Sequence, residues 1–222
     1  ATHPRPMLEF LQGKVSDRKL RLFGVACCRR ICDSMSQVRS RSLVLVAERF
    51  ADGLADADEL RAAYEEAFAA DNDIYVNGGN QYASTAVLGL QQSLGLECVT
   101  GEVFNCITIC DDRLTTACHD EAKFQELLAR LETDEWRAQS QLLRDVFGNP
   151  FRPVAAEPSW LTSTVVALAE GIYQERAFDR LPILADALQD AGCDNDDVLT
   201  HCRSDGLHIR GCWVVDLLTG RK

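Results

Sequence analysis

Apolar residues recur at three- and four-residue intervals along most of the chain, which is the spacing of one face of an α-helix. Between residues 17 and 33, for example, this interval places Leu20, Phe23, Cys27 and Ile31 on a single face. The pattern predicts an all-α fold, either a helical bundle or an irregular α-solenoid-like array, with about eight helices.

Capping residues, glycines and prolines divide the pattern into separate elements. The predicted helices cover about residues 17–33, 40–51, 57–70, 119–147, 161–172, 181–191, 195–203 and 209–219. The helix over 119–147 could break at Thr133-Asp134. Residues 72–118 stay open, because a short β-branched run such as "CVTGEVFNCITIC" fits a strand or a buried helix equally well.

One segment between two predicted helices is rich in proline and glycine. The run "GNPFRPVAAEPSW" contains three prolines and a glycine, and such residues punctuate helices. We therefore predict an N-terminal helical region over 1–147 with a variable middle segment, a linker over 148–158, and a C-terminal helical subdomain over 159–222. A single compact domain is the alternative.

Charge is distributed unevenly along the chain. The net charge is −11, yet residues 1–49 contain ten Lys and Arg against four Asp and Glu, a net +6 that leaves −17 for the rest. A basic arm could bind nucleic acid. However, an acidic protein repels phosphate, so we expect the basic helices to pack against an acidic body instead. Nucleic acid is not an expected partner.

Ten cysteines are a high number for a chain of this length. Most lie in apolar segments of helical period, where a cysteine behaves as a small buried hydrophobe. No apolar run approaches the roughly 18 residues that a membrane span needs, and the first residues lack the apolar region of a signal peptide. We expect reduced thiols, a cytoplasmic location and no membrane partner.

The C-terminal cysteines and histidines form the main candidate site. Cys193, His201, Cys202, His208 and Cys212 follow the spacing C-x7-H-C-x5-H-x3-C. Thiolates and imidazoles are the preferred ligands of zinc, although the C-x2-4-C pair of many structural zinc sites is missing. His201 and Cys202 are neighbours that point about 100° apart on a helix, so they would rarely bind one ion together.

This site has a structural alternative. Cys202 and Cys212 could face the core, while His201 or His208 hydrogen-bonds a helix end. A catalytic metal site would also need a nearby carboxylate, for which Asp205 and Asp216 are the local candidates. A weaker cysteine group, Cys106, Cys110 and Cys118, precedes the predicted helix over 119–147. The sequence contains no complete phosphate-loop, dinucleotide-binding or hydrolase motif.

The chain contains several long, distinctive segments: "SDRKLRLFGVACCRRIC", "VAERFADG", "LLRDVFGNPFRPV", "WLTSTVVALAEGIYQERAFDRLPILADALQDAGCDNDDVLTHCR" and "RGCWVVDLL". These segments resemble a family of uncharacterised bacterial proteins that is abundant in planctomycete-type genomes, sometimes alongside a repeat-companion domain. The resemblance implies a helical class. It implies no activity and no cofactor.

These observations lead to two functional expectations. The first is a non-catalytic protein-interaction or regulatory module with a protein partner and no cofactor, because no acid, base and nucleophile are grouped in the sequence. The alternative is a zinc-binding protein or metalloenzyme that uses the C-terminal cysteines and histidines. The sequence leaves the oligomeric state open.

Overall fold

The structure is a computed structural model that describes residues 3–32, 38–76, 88, 90 and 120–222. Nine α-helices and one 3-10 helix have bounds within these ranges, which contain no β-strand, so the predicted all-α class is confirmed. The α-helices are α1 Pro4–Leu11, α2 Asp17–Arg29, α3 Val38–Ala51, α4 Ala57–Val76, α5 Glu121–Phe147, α6 Ser163–Glu175, α7 Leu181–Asp190, α8 Asp196–Arg203 and α9 Trp213–Thr219. The 3-10 helix Phe178–Arg180 directly precedes α7.

Side-chain caps fix several of the helix starts. Ser16 accepts a hydrogen bond from the backbone N–H of Lys19 at the start of α2, and Thr162 accepts one from Val165 at the start of α6. Asn195 does the same for α8. Such caps satisfy backbone N–H groups that the first helical turn leaves without partners, which is why these elements begin where the sequence predicts.

Two of the sequence-based helix predictions are wrong in detail. The helix over Glu121–Phe147 does not break at Thr133-Asp134, and the hydroxyl of Thr133 donates to the carbonyl of Ala129 within the helix. The last helix begins at Trp213, not near Ile209, because Gly211 has a φ of 93°, a left-handed conformation that an α-helix does not accommodate.

The chain divides into two compact units, Ala1–Ser140 and Gln141–Lys222. In the first unit, α2 packs against α3, and α3 packs against α4. The predicted linker over 148–158 lies within the second unit, where Val154 and Ala156 pack against the hydrophobic core.

The second unit is built around a core to which α6, α7, α8 and α9 all contribute. In this unit α6 contacts α7 and α9, and α7 contacts α8. Val165, Leu184, Val198 and Val214, one from each helix, have no exposed surface. Cysteines 193, 202 and 212 belong to the same core. Packing around this core fixes the positions of the C-terminal end of α8 and the start of α9.

None of the helices in the described ranges is long and apolar enough to cross a membrane.

Two arginines of α2 and the arginine that caps its C-terminus are paired with carboxylates inside the first unit. Three such pairs are Arg18–Asp52, Arg29–Glu48 and Arg30–Glu135, with nitrogen–oxygen distances of 3.2, 2.9 and 2.7 Å. Glu135 also accepts a hydrogen bond from Gln139 at 2.8 Å. A carboxylate that is 1% exposed needs these partners, since an unpaired buried charge costs several kcal/mol.

We predict that Arg30→Met destabilises the first unit, because it leaves Glu135 buried without its cation. The expected loss is about 2–3 kcal/mol, at the lower end for a broken buried pair because Arg30 itself is 30% exposed. Arg61→Met is the matched control: it breaks the exposed pair with Asp58 and should cost under about 0.5 kcal/mol. Urea unfolding measures both, and equal losses would contradict the prediction.

Candidate metal centre

Four side chains from four parts of the second unit converge on one point. Asp145 lies in the last turns of α5, His201 in the last turn of α8, His208 in the loop that follows, and Cys212 at the N-cap of α9. Each offers one metal-ligating atom, and the four atoms lie within 4.8 Å of one another. The core of the second unit holds α8 and α9 in place. The positions of the four side chains therefore depend on this packing as well as on their contacts with one another.

Direct contacts connect the four side chains. His208 Nδ1 lies 2.6 Å from Asp145 Oδ1, and His201 Nε2 lies 3.2 Å from the same oxygen. His201 Nε2 is also 3.2 Å from Cys212 Sγ. The two imidazole rings meet edge to face, with their centroids 4.9 Å apart. Asp145 Oδ1 and His201 Nε2 are therefore the two atoms on which the group converges.

The group is shielded from water. The side chains of Asp145, His208 and His201 are 3%, 8% and 15% exposed, and Cys212 has no exposed surface. Burying a carboxylate without partners costs folding free energy. The contacts of Asp145 with the two imidazoles therefore stabilise the fold even when no ligand is bound.

The arrangement is not a nucleophile–base–acid triad. In a triad the imidazole faces the nucleophile with one nitrogen and the carboxylate with the other. Here the single atom His201 Nε2 faces both Cys212 Sγ and Asp145 Oδ1. One nitrogen carries at most one proton and cannot donate fully to both. This convergence of lone pairs is what a cation would satisfy.

A second layer of hydrogen bonds orients the inner groups. The backbone N–H of Ile209 donates to Asp145 Oδ2 at 2.9 Å. His208 Nε2 lies 3.2 Å from the carbonyl oxygen of Ser204, and the Ser204 hydroxyl donates to the carbonyl of His201 at 2.8 Å. Metal-binding histidines usually donate their second ring N–H to a carbonyl in this way, which leaves the other nitrogen free to coordinate.

The electrostatics of the Asp145–His208 pair favour charge on both partners. Burial raises the pKa of Asp145, but the hydrogen bonds from His201 and His208 outweigh burial and hold that pKa below its ordinary value of 3.8. Burial lowers the pKa of His208, yet the hydrogen bond and charge of Asp145 prevail and raise it above 6.5.

The thiols near the group are protonated when no cation is bound. Burial, reinforced by the Asp145 carboxylate, raises the pKa of Cys212 well above its ordinary value. Burial also raises the pKa of Cys202 to about 12. Neither thiol is a reactive nucleophile, because only the thiolate attacks and both sulfurs are inaccessible.

Trp213 lies beside the group, next to its most exposed ligand. The indole ring centroid is 5.2 Å from that of His201. A Cβ added to Gly148 would lie 3.1 Å from the Trp213 ring, and Gly148 has a φ of 62°. The glycine that ends α5 is thus required twice, for its left-handed backbone and for the room it leaves to the indole.

The structure brings together three of the five residues that the sequence proposes as ligands. His201, His208 and Cys212 belong to the group, whereas Cys193 and Cys202 do not and instead pack in the core. The expected divergence of His201 and Cys202 is visible in this separation. The structural alternative also holds in part, since Cys202 and Cys212 are fully buried and His208 contacts the carbonyl of Ser204 at the C-cap of α8.

Sequence reasoning missed the carboxylate. Asp205 is exposed, and neither it nor Asp216 belongs to the group. Asp145 does, and a signal for it existed: it lies three residues after Leu142 and next to Val146, on the apolar face of α5. A charged residue on a core face needs a partner, which marks it as a site candidate. The cysteines 106, 110 and 118 lie outside the described residues.

We predict that Gly148→Ala destabilises the second unit more than Gly220→Ala does. Both glycines have left-handed backbones, so each alanine costs about 1–2 kcal/mol in strain. A Cβ at Gly220 meets nothing within 4 Å, whereas at Gly148 it displaces Trp213 and adds about 1 kcal/mol or more. Urea unfolding followed by tryptophan fluorescence tests this, and equal losses would show that the indole is not held there.

We predict that Asp145→Asn lowers the unfolding free energy by about 2 kcal/mol in chelator-treated protein. Asp145, with its lowered pKa, stabilises the fold above pH 3.8, and this contribution is lost as the pH falls through its folded value. His208, with its raised pKa, stabilises the fold below pH 6.5, and this contribution is lost as the pH rises through its folded value.

The difference between wild type and Asp145→Asn should therefore be largest between about pH 4 and 6.5 and shrink on either side. Denaturant titrations across this range measure it. A difference that does not vary with pH would mean that the Asp145–His208 pair carries no charge.

The chain matches no family model, no curated protein and no solved structure in three comparisons with known proteins. The membership suggested by its sequence motifs stays a prediction.

Proposed function

We propose that this protein binds a divalent transition-metal ion, zinc above all, through Asp145, His201, His208 and Cys212. One observation carries the proposal: four ligand atoms of different residues, from distant parts of the sequence, lie within 4.8 Å of one another in a site that is almost closed to water. His208 and Asp145 are 63 residues apart, so their meeting is a product of the fold and not of local sequence.

The chemistry of the donors favours zinc over other common cations. A thiolate and two imidazoles are typical zinc ligands, and one carboxylate completes a set of four. Calcium and magnesium prefer sites made entirely of oxygen, which this group is not. The softness of the sulfur also favours zinc or cobalt over manganese.

The distances fit a tetrahedral ion after small adjustments. With bonds of about 2.0–2.3 Å, the ligand atoms of tetrahedral zinc lie about 3.3–3.8 Å apart. The contacts of 3.2 Å between His201 and its two neighbours are close to this range. The contact of 2.6 Å between His208 and Asp145 must lengthen, which a cation accomplishes by replacing the proton between them.

The raised pKa of Cys212 does not oppose coordination. It describes the thiol beside an ionised Asp145 in a dry site without a cation. A divalent ion reverses this local balance, and a coordinating thiol is deprotonated outright. The same ion compensates the charge of the buried carboxylate.

A role as a protein-interaction module also stays a prediction. Large apolar side chains are exposed in both units, among them Phe68 and Phe151, but the contacts of the described residues do not single out one surface for a partner.

We predict that chelator-treated protein takes up about one equivalent of zinc, and that Cys212→Ser or His208→Gln reduces the uptake below about 0.2 equivalents. Elemental analysis after gel filtration measures the metal. Both substitutions preserve side-chain size approximately, and circular dichroism verifies that the helices remain.

The matched control is Cys202→Ala. Cys202 is as buried as Cys212 and is adjacent to His201, but it is not a member of the group. It should retain the full equivalent of zinc. Loss of zinc in this control, or a wild-type protein that takes up none, would overturn the proposal.

A further inference from the structure

We infer that this metal centre is closed and structural: all four coordination positions are taken by protein, so that the ion joins the loop after α8 to the end of α5 and does not bind a substrate. This inference rests on the proposed function. The inference goes further by assigning four protein ligands to the ion, and a site of that kind excludes the metalloenzyme that the sequence leaves open.

The number and burial of the ligands support a closed site. A catalytic zinc ion usually has three protein ligands and a water molecule, whereas a structural ion has four protein ligands. Here a fourth ligand atom is within 4.8 Å of the other three. Cys212 and Asp145 are the two least exposed members of the group. Water would therefore have little access to the coordination positions that these two side chains fill.

The carboxylate of Asp145 is held in a single-oxygen mode. Its Oδ1 faces both histidines, while its Oδ2 accepts the backbone N–H of Ile209 at 2.9 Å. The second oxygen already accepts a backbone hydrogen bond, which makes it a poorer base toward a bound water. Within the described part of the chain, the group contains no other carboxylate.

An aromatic ring lies beside the most exposed ligand. His201 is 15% exposed, and the Trp213 indole lies 5.2 Å from its ring. The Gly148 backbone lies close to the indole, since a Cβ added there would be 3.1 Å from the ring. The indole therefore takes up space beside the most exposed ligand and leaves less room there for a substrate.

The loop between α8 and α9 explains why a structural ion would be useful. Residues 203–207 are all exposed, and the unit's hydrophobic core draws no residue from 203–211. An ion bound by Asp145, His208 and Cys212 closes a long loop of the chain, which is the circumstance in which a cross-link stabilises most.

Cobalt(II) titration of the chelator-treated whole chain tests this inference, because cobalt reports its own coordination. We expect a thiolate-to-cobalt charge-transfer band and the intense ligand-field bands of a tetrahedral ion. The spectrum should not change when azide is added in excess. Cys212→Ser should lose the charge-transfer band, whereas Cys202→Ala, the matched control, should give the wild-type spectrum.

The outcomes separate this inference from the proposed function. Weak ligand-field bands of five- or six-coordinate cobalt, or bands that shift with azide, would show an open position and overturn the closed site while metal binding stands. Failure to bind cobalt or zinc at all would overturn both. Unchanged bands in Cys212→Ser, with circular dichroism like that of the wild type, would also overturn the closed site, since Cys212 would then not be a ligand.

Discussion

The buried charge of Asp145 is the constraint on which the candidate site of the second unit depends. A side chain that is 3% exposed and negatively charged must be compensated, and the compensation comes from His201, His208 and the backbone of Ile209. These partners lie 56 or more residues further along the chain. One charge on α5 therefore determines where the end of α8 and the following loop must lie.

Much of the fold follows from local patterns. Apolar periodicity, capping residues such as Thr162 and Asn195, and breaks at glycine determine helices through interactions within a few residues, so the sequence predicts them well. The start of α9 was mispredicted because Gly211 has a left-handed backbone in a position where the apolar pattern alone continues the helix. Helix propensity and apolar spacing do not show whether a glycine will have a positive φ, and a positive φ is what delays the start of α9.

The candidate site was only partly predictable, because its members meet through tertiary packing. His201, His208 and Cys212 lie within twelve residues, so spacing alone brings them into consideration. Asp145 does not, since nothing local connects a residue of α5 with a loop 63 residues away. Likewise, spacing cannot distinguish Cys212 from Cys202, because both are buried thiols and only the direction of the side chain separates a ligand from a core residue.

Two sets of contacts hold the C-terminal segment: the hydrophobic core and the group formed by Asp145, His201, His208 and Cys212. Val214, Val215 and Leu218 bury α9 against α6 by hydrophobic contact that needs no ligand. The loop from Ser204 to Gly211 contributes no side chain to that core, although Arg210 stacks over Tyr173 at its edge. An ion at the group would therefore stabilise the loop far more than the helices, because local stability follows local contacts. In the proposed arrangement a bound ion would complete a fold that hydrophobic packing has already largely determined.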